Sequence, residues 1–256
     1  GQAQGVRLSG QGLAFVADGP GGFRVVDASD TSAPVEIWRE AYDEVPTRGV
    51  DVVDDRVFVV TSDTLSVRSA DPATEFEVLA HAPLTEGYAV DVVDDVAYVA
   101  DGAGGLRIFD VSDEAVANGS TLVELAGVLI DDARAVHVLR GIAHVADGAA
   151  GLRMIDVQLP SEPMILATLE LSDVVNGIQV LGPIAYVTGE HEGLHIVDVS
   201  EPDGPAFVST LGLSGAIRGA HVVGTNANVT VGTGGLAFVN VSDLGAPEGA
   251  SKVTLQ

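Results

Sequence analysis

Short alternating runs of apolar and polar residues recur along the chain at a nearly constant interval. One apolar frame is clear in four copies: AFVADGPGGFRVVDASD (14–30), AYVADGAGGLRIFDVSD (97–113), AHVADGAAGLRMIDVQL (143–159) and AYVTGEHEGLHIVDVSE (185–201). Two weaker copies fit the same frame, VFVVTSDTLSVRSAD (57–71) and ANVTVGTGGLAFVNVSD (227–243). The second residues of successive copies are 43, 40, 46, 42 and 42 positions apart, so six units cover the chain.

Each unit predicts four short antiparallel strands. An alternating run such as AVDVV (89–93) is followed by a two-residue turn and an AYVA-like strand, which is a hairpin signal. A GLRIFDV-like strand and a run such as MILATLEL (164–171) complete the unit, and no segment has the period of a long helix. The sequence therefore predicts an all-β, six-bladed β-propeller with four antiparallel strands per blade. We expect one domain over 1–256, with blades at approximately 4–46, 47–87, 88–133, 134–175, 176–217 and 218–256.

The third strand of the repeat resembles the LVIVD-repeat family. The matching words are FRVVDASD (23–30), LRIFDVSD (106–113), LRMIDV (152–157) and LHIVDVSEP (194–202). The resemblance implies a β-propeller that is exported or surface-associated, at an extracellular, periplasmic or cell-surface location, and it implies no shared catalytic residue. The Asp of these words is expected to accept hydrogen bonds from backbone N–H groups in the following turn. It stands at Asp27, Asp110, Asp156 and Asp198, whereas Ser69 and Asn240 replace it in blades 2 and 6.

Composition excludes several classes of protein. The chain has no Cys and a formal net charge of −25, and Lys252 is its single Lys. A disulfide scaffold and a thiolate metal site are excluded, and strong nucleic-acid binding or attraction to an anionic membrane is disfavoured. No apolar run is long enough to span a bilayer. The acidic excess favours either a high-salt habitat or simple compositional bias.

Polar residues interrupt the repeat at two positions of the first strand of each blade. Its middle position, expected to face a central channel, holds Arg7, Asp51, Asp91, His137, Gln179 and His221. Three residues earlier stand Gln4, Arg48, Tyr88, Arg134, Asn176 and Arg218. The loop between the second and third strands is expected on the same face. In blade 5 it reads TGEHEG (188–193), with Glu190, His191 and Glu192, where blades 1, 3 and 4 have ADGxxG.

Three hypotheses follow for these residues. Arginine forks bind carboxylate, sulfate or phosphate groups, so the first hypothesis is a ligand site at the channel mouth for an anionic small molecule or saccharide, or for a protein partner. Its binding residues are Arg48, Tyr88, Arg134, Asn176, Arg218 and His191. The second is a divalent metal ion in the channel, held by Asp51, Asp91, His137 and His221. The third is a solvated structural network without a ligand.

The alternative to a binding function is a hydrolase or lyase that acts on an acidic saccharide or another anionic substrate, and the metal ion of the second hypothesis could assist it. His137 and His221 would be its catalytic residues, as bases or as metal ligands. Two further histidines are assigned to the framework. We expect His144 to be packed within its strand and His195 to lie on a blade surface.

Overall fold

The computed structural model describes residues 3–41, 45–117, 121–213, 215, 217–232 and 235–253. It contains six four-stranded antiparallel sheets, and each sheet is formed by four consecutive strands of the chain. The predicted six-bladed β-propeller is thereby confirmed. The chain divides into two compact units, Gly1–Leu129 and Ile130–Gln256, with three blades in each. That the whole chain forms one domain stays a prediction.

The first unit contains blades 1 to 3. Its strands are β1 (Gly5–Leu8), β2 (Leu13–Ala17), β3 (Phe23–Asp27), β4 (Val35–Glu40), β5 (Thr47–Val53), β6 (Arg56–Thr61), β7 (Thr64–Ser69), β8 (Val78–Pro83), β9 (Ala89–Val93), β10 (Val96–Ala100), β11 (Leu106–Asp110) and β12 (Val123–Val128). A short 3-10 helix (Pro72–Thr74) and a single-turn helix α1 (Asp113–Ala117) connect strands within blades 2 and 3.

The second unit contains blades 4 to 6. Its strands are β13 (Ala133–Leu139), β14 (Ile142–Asp147), β15 (Leu152–Asp156), β16 (Met164–Leu169), β17 (Val175–Leu181), β18 (Ile184–Gly189), β19 (Gly193–Asp198), β20 (Ala206–Gly212), β21 (Ile217–Val223), β22 (Asn226–Val231), β23 (Leu236–Asn240) and β24 (Glu248–Val253). β13, β17 and β21 each begin one residue before the blade boundary that the repeat predicts.

The core of each unit lies between neighbouring blades, because every blade has an apolar residue on each face of its middle strands. In the first unit, Phe58 and Leu65 of blade 2 pack with Phe109 of blade 3. In the second, Leu152 of blade 4 and Val187 of blade 5 belong to one buried cluster. Burial on both faces accounts for the positive mean hydropathy of 0.33.

The extra length of blade 3 forms a cover over blade 2. The step of 46 residues between Tyr98 and His144 is the longest in the chain, and it includes α1, which packs against β8. The N–H of Leu122 donates to the carbonyl of His81 on β8 at 2.8 Å. The insertion therefore protects an edge strand that would otherwise present unpaired backbone groups.

The Asp that ends the third strand has the predicted structural role. Its carboxylate accepts a hydrogen bond from the N–H two residues later at 2.9–3.0 Å in blades 1, 3, 4 and 5. The two replacements do the same, since Asn240 accepts from the N–H of Ser242 and Ser69 accepts from the N–H of Asp71. A side-chain oxygen is what the turn requires, and the charge is dispensable.

We predict that two glycines with positive φ differ strongly in their tolerance of a side chain. A Cβ at Gly151 (φ +89°) would lie 2.2 Å from the carbonyl oxygen of Leu169, whereas a Cβ at Gly182 (φ +60°) would have no neighbour within 4 Å. Both substitutions by Ala place a side chain in the left-handed region, at about 1–2 kcal/mol, and only Gly151→Ala adds a clash with backbone of about 1–3 kcal/mol. Chemical denaturation should show a larger loss of unfolding free energy for Gly151→Ala. Equal losses would contradict the assigned contact.

A second prediction concerns His144, whose expected packing is confirmed at 4% exposure. Burial lowers the pKa of His144 from 6.5 to about 4, so the unfolded chain takes up a proton more readily than the folded one. Its stabilising effect is complete above pH 6.5 and is lost as the pH falls towards 4, by up to about 3 kcal/mol.

The equivalent residues of blades 3 and 5 supply matched variants for this prediction. Tyr98 and Tyr186 occupy the same position and are also 4% exposed. His144→Tyr should flatten the decline of unfolding free energy between pH 7 and pH 4, and Tyr98→His should steepen it. If the wild type and His144→Tyr declined in parallel, His144 would not titrate as described.

Candidate functional site

Four of the six candidate ligand-binding residues stand at β-bulges near the start of the first strands. At each bulge two residues oppose one residue of the second strand, and the extra residue is Arg48 in β5, Arg134 in β13, Asn176 in β17 and Arg218 in β21. A bulge changes the direction of the side chain that it carries. The repeat position was visible in the sequence, whereas the bulge became visible only when the strand partners were known.

In the first unit, Arg48 and Tyr88 form a closed polar cluster. The Arg48 guanidinium lies 4.4 Å from the centre of the Tyr88 ring, donates to the carbonyl of Gly87 at 3.3 Å and lies 3.7 Å from Glu86 Oε1. Tyr88 Oη donates to the same Glu86 oxygen at 2.7 Å. The arrangement joins blades 2 and 3 through a cation–π contact, and a ligand would have to displace these partners.

In the second unit, Arg134 is an ion-paired residue rather than a free anion-binding group. Its Nε donates to Asp132 Oδ2 at 2.7 Å, and its NH1 group donates to Glu190 Oε1 at 2.6 Å. Glu190 lies in the loop between the second and third strands of blade 5, and Arg134 stands at the start of the first strand of blade 4. The predicted placement of these two parts on one face is therefore confirmed within the second unit. Arg134 is shared between two carboxylates, so it holds the Glu190 side chain in place and neutralises it only in part.

A cavity of about 540 Å³ lies beside this ion pair. It is lined by Asn176, Glu190, His191, Gly215, Ile217 and Arg218. Asn176 is held by two hydrogen bonds, donating to the carbonyl of Ile217 at 2.8 Å and accepting from Thr188 Oγ1 at 2.8 Å. Arg218 is exposed, and no hydrogen bond or ion pair joins it to another residue that the structure describes. Four of the six predicted ligand-binding residues thus lie in this unit, and three of them line the cavity.

The predicted metal ligands have other contacts. Asp51 accepts from Arg7 Nε at 3.1 Å and from the N–H of Val92 at 2.9 Å, and Asp91 also has an interaction partner. His137 is half-buried, and His221 is exposed. No group of three or more His, Asp or Glu residues in the described part of the chain could hold a metal ion. The metal and catalytic assignments of Asp51, Asp91, His137 and His221 stay predictions.

Three blades carry a buried ion pair at the end of the second strand. It joins Asp18 to Arg24 at 2.7 Å, Asp101 to Arg107 at 3.5 Å and Asp147 to Arg153 at 2.6 Å. Blades 2 and 6 lack both charges, because Thr61 with Ser66 and Val231 with Ala237 occupy the two positions. The charges are present together or absent together, as expected when an unpaired buried charge is costly.

Blade 5, which supplies part of the cavity wall, has neither an Asp nor an Arg at these two positions. Gly189 stands at the Asp position and His195 at the Arg position. The expectation that His195 lies on a blade surface is wrong, since it is 1% exposed. Arg107 and Arg153, which stand at the equivalent position, are 19% exposed, whereas the shorter imidazole does not reach solvent from there.

Asp173 supplies the carboxylate of blade 5 from the preceding connection. Its side chain is 1% exposed and accepts hydrogen bonds from the N–H groups of Val174, His191 and Glu192 at 2.7–3.2 Å. His191 Nδ1 lies 3.0 Å from Asp173 Oδ1, and His195 Nε2 lies 3.7 Å from Asp173 Oδ2. Burial opposes ionisation of Asp173, but the hydrogen bonds outweigh it and keep its pKa below the ordinary value.

His195 completes this cluster as a neutral partner at neutral pH. Burial lowers its pKa, and the negative charges of Asp173 and Glu192 offset the effect only in part. Its Nδ1 is hydrogen-bonded to Thr210 Oγ1 at 2.8 Å, whereas its Nε2 has no hydrogen-bond partner among the described residues. Sequence analysis missed Asp173, although the paired departures at Gly189 and His195 were an available signal.

Comparisons with solved structures support the propeller fold. A functionally unknown protein from Desulfotomaculum acetoxidans DSM 771 superimposes with a TM-score of 0.79 at 13% identity, covering 98% of this chain and 85% of that chain. A chain of the mitotic checkpoint complex gives 0.76 at 11% identity and covers 98% and 77%. The computationally designed Ika8 protein gives 0.71 at 13% identity and covers 98% and 76%. At these identities the likeness shows the fold alone.

No curated protein matches the chain. No helix in the described residues is long and apolar enough to cross a membrane. The model of the LVIVD repeat matches residues 1–40, 86–119, 131–169 and 174–211, which together make up more than half of the chain. These matches fall in blades 1, 3, 4 and 5, the blades in which a carboxylate pairs with Arg or lies beside His at the end of the second strand. The chain therefore belongs to the LVIVD-repeat family.

Proposed function

We propose that this protein is a binding module whose second unit takes a small anionic ligand rich in hydroxyl groups, of the class of acidic saccharides. The supporting observation is the cavity of about 540 Å³ that Arg218 lines. Arg218 is exposed, and within the described ranges its guanidinium has no acidic partner. A guanidinium in that condition can form two parallel hydrogen bonds with a carboxylate.

The charges around the cavity favour an anion at Arg218 despite the net charge of −25. Glu190 is the acidic residue of the cavity wall, and its Oε1 is already paired with Arg134 at 2.6 Å. Arg134 also pairs with Asp132 at 2.7 Å, so Glu190 keeps part of its negative charge, and Arg218 is the lining residue that attracts an anion. Because the rest of the protein repels anions over longer distances, we expect moderate affinity that increases as salt screens this repulsion.

The remaining wall suits hydroxyl groups. The exposed ring of His191 offers a nitrogen, Glu190 Oε2 is an acceptor, and the Asn176 amide is held in a fixed orientation by two hydrogen bonds. Ile217 gives one apolar contact. A cavity of this volume accommodates one or two sugar rings, since ligand sites usually measure about 300–1,000 Å³.

Four other expectations from the sequence are not part of this proposal. The metal-assisted hydrolase or lyase, the position at a channel mouth, a protein partner and a location outside the cell stay predictions. Arg48 and Tyr88 lie in the first unit, and the proposed site does not include them.

The proposal predicts that Arg218→Gln weakens the binding of D-glucuronate at least about tenfold, because hydrogen bonds to charged groups contribute about 1.5–3 kcal/mol and 1.4 kcal/mol corresponds to a factor of ten. Isothermal titration calorimetry measures the effect. D-glucose has the same ring without the carboxylate, so its binding should be much weaker and insensitive to Arg218→Gln.

Arg140→Gln is the matched control. Arg140 is an exposed arginine of the same unit that lies in the turn between β13 and β14 and outside the cavity lining. It removes the same charge from the unit, so any general effect of net charge appears in both variants. Equal losses of glucuronate affinity in the two variants, or no binding by the wild type, would reject the cavity as an anion site.

A further inference from the structure

We propose that Asp173 is the positioning residue of the cavity wall. It lies in the connection before β17 and holds the loop that contains Glu190 and His191. It replaces the carboxylate that blades 1, 3 and 4 carry at the end of the second strand. This inference concerns the structure of the loop, and only its effect on the ligand rests on the proposed function. The residue is not part of the LVIVD words from which the repeat was recognised.

The direction of the hydrogen bonds is reversed in blade 5. In blade 3, Asp101 accepts from the N–H groups of Thr85 and Glu86, and in blade 4 Asp147 accepts from the N–H of Asp132. There the second strand supplies the carboxylate and the preceding connection supplies the N–H groups. In blade 5 the connection supplies Asp173, and the loop after the second strand supplies the N–H groups of His191 and Glu192.

Gly189 is explained by this reversal. A Cβ at Gly189 would lie 2.0 Å from Asp173 Oδ2 and 2.8 Å from His195 Nε2. Its φ lies outside the positive range in which the backbone itself favours glycine. The absence of a side chain at Gly189 therefore makes room for Asp173. A buried carboxylate in the connection and one at the end of the second strand cannot both occupy this space.

The reversal places Asp173 in control of two cavity residues. Its two oxygens hold the backbone of His191 and Glu192, and the His191 ring lies against Oδ1 at 3.0 Å. The N–H of Glu190 is bonded to the carbonyl of Val174, the residue next to Asp173. The position of Glu190 opposite Arg134 and that of His191 at the cavity thus depend on one buried carboxylate.

Residue identities in blade 4 supply the experiment. Asp131, Asp147 and Arg153 occupy the positions of Asp173, Gly189 and His195, and the Asp131 side chain is 78% exposed where it pairs with Arg153. The double variant Gly189→Asp, His195→Arg consequently gives blade 5 the residues of blade 4. In this background the carboxylate at position 189 should accept the hydrogen bonds from the connection, as Asp147 does in blade 4, and Asp173 should turn outwards, as Asp131 does.

The test measures Asp173→Ala in both backgrounds by hydrogen exchange of peptides that cover 173–174 and 190–192. In the wild type, Asp173→Ala should accelerate exchange of the His191 and Glu192 amides by about tenfold or more, because their buried acceptor is lost. In the double variant the same change should alter exchange by less than about twofold. Asp131→Ala in the wild type is the matched control and should leave the 190–192 amides unchanged.

Glucuronate titration of the same variants separates positioning from general stability. At a temperature where each variant remains folded, Asp173→Ala should weaken binding at least about fivefold in the wild-type background and by less than about twofold in the double variant. A fall in melting temperature without a change in glucuronate affinity would overturn the positioning role, as would equal effects of Asp173→Ala in both backgrounds. If the wild type does not bind glucuronate, the proposed function fails, and hydrogen exchange still decides the role of Asp173.

Discussion

A buried carboxylate that accepts hydrogen bonds from backbone N–H groups holds the loop after the second strand to the connection before the blade, and the loops of this protein depend on that interaction. Each blade buries two apolar faces against its neighbours, but the loops at the end of the second strand have little apolar surface of their own. In blade 3 the loop and the preceding connection are joined by Asp101, which is 0% exposed and accepts two backbone hydrogen bonds from that connection. Because an ionised carboxylate forms strong hydrogen bonds in a buried site, one residue can order two segments.

The carboxylate can be supplied by the second strand or by the preceding connection, and blade 5 uses the second arrangement at the loop beside the cavity. Blades 1, 3 and 4 pair an Asp at the end of the second strand with an Arg on the third. Blade 5 moves the carboxylate to Asp173 and replaces Arg by the shorter His195, and a cavity lined by Glu190 and His191 lies beside it. The framework common to the blades is retained while the chemistry of one loop changes, as is usual for binding sites on repeat folds.

The fold was predictable from the sequence because a propeller repeats its packing requirements six times. Six blades could be counted because the equivalent position recurs every 40–46 residues, at Phe15, Phe58, Tyr98, His144, Tyr186 and Asn228, with the two weaker copies included. The site was predictable only in part. The polar residues at Arg134, Asn176 and Arg218 were found as departures from the repeat, but their bulges depend on strand register and the ion pair of Arg134 depends on a loop 56 residues away. Asp173 was missed because it lies in a connection with no repeated word, and His195 was placed wrongly because an equivalent position was assumed to have equivalent exposure.

We propose that the residues by which blade 5 differs from the other blades form a ligand site, and a crystal structure of the protein with D-glucuronate would show whether they do. We expect electron density for the sugar in the cavity of the second unit, with its carboxylate hydrogen-bonded to the Arg218 guanidinium and a hydroxyl group within reach of His191 or Glu190. Density for the sugar elsewhere, or a cavity that remains filled only by water at saturating glucuronate, would contradict it.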